Sequence, residues 1–199
     1  MRANRLIPVV VLAFAVACSD TATSPTSLTS VGGPLSAVVP AGTYTDPLAD
    51  AQKGVQTANT PGGGHLQTGS IQCVVNASLG VTCSGYELSG VGNTNVDVHL
   101  DAVYSATVVC NNPAGPKNRN NDIEPHQTTF ASSQDFNVPS TKNGRLRIPQ
   151  TSVSPGGTNE DLCPNGNWET VLQGLQLESF TYSITFAGFS SPAVFISES

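Results

Sequence analysis

Across residues 95–110 every even position is apolar or Cys and most odd ones are polar. Val96, Val98, Leu100, Ala102, Tyr104, Ala106, Val108 and Cys110 fall on even positions, with Asn95, Asp97, His99, Asp101, Ser105 and Thr107 on odd ones. A period of two is that of an extended strand with one dry and one wet face. The dry face needs a covering layer, so this stretch predicts a two-layer β domain. The same period returns at Phe180, Tyr182, Ile184 and Phe186, and Leu146 and Ile148 alternate with Arg145 and Arg147. Residues 126–138 place Thr128, Phe130, Ser132, Gln134 and Phe136 on one face. Further strands are predicted over 71–76, 79–88, 144–153, 168–172, 176–186 and 193–196, separated by turn-forming stretches, and no window holds a helical period. About seven or eight antiparallel strands in roughly 130 residues is the pattern of an immunoglobulin-like β-sandwich. The chain is therefore read as all-β over residues 70–199.

The first 69 residues read differently. Arg2 and Arg5 precede an apolar run over residues 6–17, which ends in Ala15-Val16-Ala17 before Cys18. A basic start, an apolar centre and small residues at the end make residues 1–17 a secretory signal peptide, too short for a mature membrane span. The Ala-Val-Ala-Cys sequence resembles a bacterial lipobox, with Ala15 where Leu is more typical. The resemblance implies that Cys18 becomes a lipidated N-terminus, holding the protein to a membrane of the cell envelope, at the outer membrane or cell surface. Residues 18–69 are rich in Ser, Thr, Pro and Gly, and read as a flexible tether with a root-mean-square reach of about 40 Å. Pro61-Gly62-Gly63-Gly64 reads as a hinge at its end, and the short apolar cluster over 35–39 as part of the spacer.

Five cysteines are an odd number for an exported chain. Assigning Cys18 to the lipid leaves Cys73, Cys83, Cys110 and Cys163, for which three pairings exist. Cys73 and Cys83 flank the turn-like stretch 76–80, which favours a hairpin bridge and leaves Cys110 with Cys163. No Cys-x-x-Cys pair supports a metal site instead. Trp168, the single tryptophan, follows Cys163 closely and is expected to pack on the 110–163 bridge.

Residues 80–186 also resemble a group of uncharacterised secreted bacterial β proteins. Those share a strand ending in Cys-x-Asn-x-x-Gly and a later Cys-Pro-Asn-x-Asn-Trp segment. The matching residues are Cys110-Asn111-Asn112-Pro113-Ala114-Gly115 and Cys163-Pro164-Asn165-Gly166-Asn167-Trp168, with Pro116 where a second Gly is common. The resemblance implies the sandwich fold and the 110–163 pairing, and carries no activity.

Charge narrows the partners. The formal charge is −6, and loss of Arg2 and Arg5 with the signal peptide leaves six basic residues against 14 acidic, or −8. No basic patch exists for a phosphate backbone, so nucleic acid is not an expected partner.

Three constellations bear on chemistry. Asp97, His99 and Asp101 stand in a row on the wet face, each about 7 Å from the next, and are candidate metal ligands, although polar residues belong on that face anyway. Asn118, Asn120, Asp122 and Glu124 have the rhythm of a calcium loop, with Asp122 and Glu124 as further candidates. That loop lacks the central Gly and distal Glu, and it includes Lys117 and Arg119. The carboxylates Asp97, Asp101, Glu160, Asp161, Glu169 and Glu178 are the candidates for a hydrolytic pair, but nothing in their spacing requires them to converge. There is no Gly-x-Ser-x-Gly elbow and no phosphate-binding Gly-rich loop, and the histidines His65, His99 and His126 are scattered.

The expected protein is thus a non-enzymatic lipoprotein of the cell envelope without a cofactor, a binding or adhesion module for a protein or glycan. The alternatives are a structural or assembly subunit and a small carboxylate-dependent hydrolase.

Overall fold

A computed structural model of the chain describes residues 38–111, 123–141, 143–155, 162–163 and 168–199, with residues 123–124 in their backbone alone. The signal peptide, Cys18 and the calcium-like loop through Asp122 lie outside the described residues.

The described chain is all-β. In order it forms β1 Gly42–Tyr44, a single 3-10 turn Thr57–Asn59, β2 His65–Gly69, β3 Cys73–Val75, β4 Val81–Cys83, β5 Tyr86–Ser89, and the long strand β6 Val96–Asn111. There follow β7 Ile123–Val138, β8 Arg145–Ile148, β9 Thr151–Val153, β10 Glu169–Phe186 and β11 Val194–Glu198. They lie in three sheets, ordered β1-β3-β4-β9, β11-β10-β6-β7 and β2-β5-β8, and every pairing is antiparallel.

β6 behaves as its alternation predicts. Its even residues from Val96 to Cys110 are all buried, and its odd ones are half-buried or exposed. β10 runs beside it, with Phe180 opposite Ala102, Tyr182 opposite Leu100 and Ile184 opposite Val98, so their dry faces coincide. One cluster of buried residues draws on all three sheets: Val98, Leu100 and Tyr182 from the long one, Cys73 and Val81 from the second, Leu88 and Leu146 from the third. The ring of Tyr44 on β1 meets that of Phe180 edge-on, with centroids 5.2 Å apart. The hydroxyls of Tyr86 on β5 and Tyr182 on β10 share a buried hydrogen bond of 3.2 Å. Each fully buried Leu, Ile or Phe here contributes about 1.5–3 kcal/mol relative to exposure.

The boundary at residue 70 does not hold. Residues 38–69, read as tether, belong to the fold. Val39 and Val55 are buried in the common core, and the Val39 N–H donates to the Leu177 carbonyl of β10 at 2.9 Å. Asp46 is nearly buried: its carboxylate accepts the N–H of Leu48 (2.8 Å), the Gln56 side-chain amide (2.9 Å) and the N–H of Phe195 on β11 (2.9 Å). The predicted hinge at 61–64 is a turn closed by Gly64 N–H to Pro61 carbonyl. It sits so close to Gly90 that a Cβ there would lie 2.2 Å from the Gly63 oxygen. Composition pointed to a spacer because these contacts rest on one short apolar cluster and isolated apolar residues with no period.

Two predicted strands are bent in half. Residues 79–88 become β4 and β5, and 144–153 become β8 and β9, so a paired ribbon passes from one sheet into another. The bend lies where Gly85 faces Pro149 and Gln150. A Cβ on Gly85 would meet the Gln150 nitrogen at 3.0 Å and the Ile148 oxygen at 3.2 Å, so the close approach requires glycine. Pro149 has no N–H for a ladder. Conversely, the predicted strands 168–172 and 176–186 are one strand, β10, whose register shifts between Gln173 and Gln176, around Gly174 at φ 61°.

Both disulfides are Cys73–Cys83 and Cys110–Cys163. The first joins directly opposed residues of β3 and β4. Their turn uses Asn76, whose side chain accepts the N–H groups of Ser78 and Gly80 at 2.8 and 3.0 Å. The second bridge, with Val108, forms a separate small core against which Leu162, Trp168 and Leu172 pack, so Trp168 has the structural role expected of it.

Burial raises the pKa of all four tyrosines. Tyr104 and Tyr182 are pushed up to about 12, and Tyr86 lies well above the ordinary 10.0. A phenol with a folded pKa above its unfolded one favours the fold below the unfolded value, and that contribution disappears as pH rises through the folded value. Stability is therefore expected to fall as pH rises from about 10 towards 12. In an alkaline titration phenolate absorbance should rise together with loss of tertiary structure; ionisation of most tyrosines near pH 10 in a folded chain would contradict this packing.

Candidate functional site

The wet face of the four-stranded sheet carries the polar residues singled out in β6. Pairing on both sides of β6 arranges them in rows across the sheet. Asn137 of β7, Asp97 and Thr185 of β10 form one row. Asp135, His99 and Ser183 form the next, and Ser133, Asp101 and Thr181 the third. β11 extends the face with Phe195 beside Ser183 and Ser197 beside Thr181. Odd positions share this side because the side-chain period is two, and the register keeps odd opposite odd over these rows.

Within the rows the candidate ligands are engaged crosswise. Asp97 Oδ1 accepts a hydrogen bond from Asn137 Nδ2 at 2.7 Å, and His99 Nδ1 is paired with Asp135 Oδ1. Asp97 and Asp101 stay about 13 Å apart along the strand. Among the described residues no three His, Cys, Asp or Glu side chains converge as a metal-ligand set. Asp122 lies outside the described residues, and Glu124 is described in backbone alone.

The row Ser183–His99–Asp135 has a nucleophile, a base and an orienting carboxylate in sequence across three strands. No hydrogen bond joins Ser183 to His99. β6 and β10 are interior to the sheet, so their N–H groups serve the ladders and do not turn to a developing oxyanion. The row is a polar cross-strand network on an open face. Among the described residues the scattered carboxylates do not meet either: Glu178 accepts a hydrogen bond from the Ser105 hydroxyl and Glu169 stands opposite Asn111 at the far end of β6. Glu160 and Asp161 lie outside the described residues.

A second polar cluster lies on the three-stranded sheet. Glu87 of β5 is nearly buried between two arginines of β8, with Arg147 Nε to Oε2 at 2.9 Å and Arg145 Nη1 to Oε1 at 3.3 Å. Beside it is a shallow, open groove of about 330 Å³ lined by Thr68, Gly69, Gly85, Tyr86, Arg147 and Ile148. Arg145 and Arg147 were visible in the sequence as the wet side of their strand. Their partner Glu87, like Asp135 and Asn137, was not, because only the register brings it opposite. The available signal was the charge alternation in Arg-Leu-Arg and a lone Glu in Tyr-Glu-Leu-Ser. Compared with known protein families, curated proteins and solved structures, the chain matches none.

Proposed function

We propose that this chain is an exported protein, held to the cell envelope through lipid on Cys18, whose β domain is a non-enzymatic binding module for a protein or glycan. The observation that carries the reading is the wet face of the four-stranded sheet: a broad, open array of Ser, Thr, Asn and Asp side chains, half held in place by the Asp97–Asn137 and His99–Asp135 pairs. Such a face offers many hydrogen-bonding groups to a large ligand and encloses no small one. The two disulfides accord with an oxidising compartment, and the lipobox-like Ala-Val-Ala-Cys accords with the anchor.

The test is a glycan and envelope-protein binding screen on the full chain, with Cys18→Ser used to release it from membranes. Binding that Asp135→Ala and Ser183→Ala weaken at least about tenfold, while Arg147→Ala leaves it intact, is the expected result. A ligand indifferent to both face variants would move the site elsewhere.

A further inference from the structure

The two edges of the four-stranded sheet are treated unlike each other. At β11 the N-terminal arm closes the edge: Asp46 accepts the Phe195 N–H at 2.9 Å, and the Gln56 N–H donates to the Ala193 carbonyl at 2.8 Å. At the other edge β7 is a 16-residue strand that pairs with β6 alone among the described residues. β8 and β9 approach it, and among the described residues one side-chain hydrogen bond crosses from it to them, Gln134 Oε1 accepting the Ser152 N–H of β9 at 3.2 Å. None of residues 125–138 is buried.

A long bare edge is a template for strand addition, and proteins blunt such edges with lysines, prolines, inward charges or short strands. β7 has Pro125 at its start, but residues 126–134 contain no Asp, Glu, Lys or Arg. We propose that β7 is a self-association edge. It pairs antiparallel with β7 of a second copy about a two-fold axis normal to the sheet near Ser132, joining two four-stranded sheets into one.

Charge and pleat both select a second copy as the occupant. The chain is acidic, with a formal charge of −6, so most of its faces repel their own kind; the neutral window 126–134 does not. About an axis at Ser132, residue 130 faces 134 of the second copy, 128 faces 136 and 126 faces 138. Asp135 then faces Thr129, not another carboxylate. A two-fold normal to the sheet keeps even residues opposite even ones. Phe130, Phe136 and Val138, which lie half-buried at the margin of the core, are then covered by Gln134, Thr128 and His126 of the second copy.

Ala131 and Ser133 are exposed on the wet side, directly opposite each other across this axis, which gives the test. The full chain with Cys18→Ser is examined by sedimentation over a wide concentration range. Wild type is expected to form a dimer whose fraction rises with concentration. Ala131→Lys with Ser133→Lys sets lysine against lysine and should weaken dimerisation about tenfold, with the thermal midpoint of the dilute chain unchanged. Mixing that variant with Ala131→Glu/Ser133→Glu should restore a mixed dimer. A wild type that is monomeric at every concentration, or dimers indifferent to both charge variants, would overturn the proposal.

Discussion

A chain that begins at Ser70 will not fold. It lacks Val39 and Val55, each buried in the core and each worth about 1.5–3 kcal/mol. It also lacks the Asp46 carboxylate that accepts the Phe195 N–H, the edge-on contact of Tyr44 with Phe180, and β2, which pairs with β5. Together these losses reach about 5 kcal/mol or more, against a typical total of about 5–15 kcal/mol for a whole domain. A chain beginning at Ser36 retains all of them. Circular dichroism and thermal unfolding of the two truncations provide the comparison. A cooperative transition in the shorter chain within a few degrees of the longer one would show the arm to be dispensable.

The second large effect concerns the Cys110–Cys163 bridge, whose residues lie 53 apart in sequence. In the chain-entropy picture, closing a loop of that length stabilises by about 4 kcal/mol. Cys73–Cys83, with a separation of 10, closes a hairpin already held by ladder bonds and contributes about 2.7 kcal/mol on the same basis. Replacing both Cys110 and Cys163 with Ala should therefore cost more than the same change at Cys73 and Cys83. It also loosens the small core of Val108, Cys110 and Cys163 against which Trp168 packs, so tryptophan fluorescence should shift to the red in that variant alone. Denaturant unfolding of the two variants measures the difference; equal losses, or a larger one at 73–83, would contradict the loop-length account.

What could be read from the chain alone was whatever repeats locally. The alternation of β6 and of Phe180 to Phe186 marks a dry face without reference to any partner, and the turn 76–80 places Cys73 beside Cys83. What could not be read depends on distance. Val55 and Leu66 are single apolar residues in a polar stretch and Val39 ends a short apolar cluster, and how they pack is decided by elements far along the sequence. The bend at Gly85 depends on the approach of Pro149 and Gln150, so residues 79–88 look like one strand until the opposing segment is in view. The candidate site shows the same limit. Its β6 members were legible as a wet row, but the partners that hold them, Asp135 and Asn137, come from a strand whose register no local pattern specifies.

The arrangement of β6 has a consequence for how the protein is made. Asp97 lies opposite Thr185, and the arm that starts the fold is fastened to β11 at Phe195. The central strand thus finds its principal neighbour, β10, only after residues 169–186 have been synthesised. Contacts so distant in sequence make assembly slow, so the β10 side of the central strand stays open until that later strand arrives.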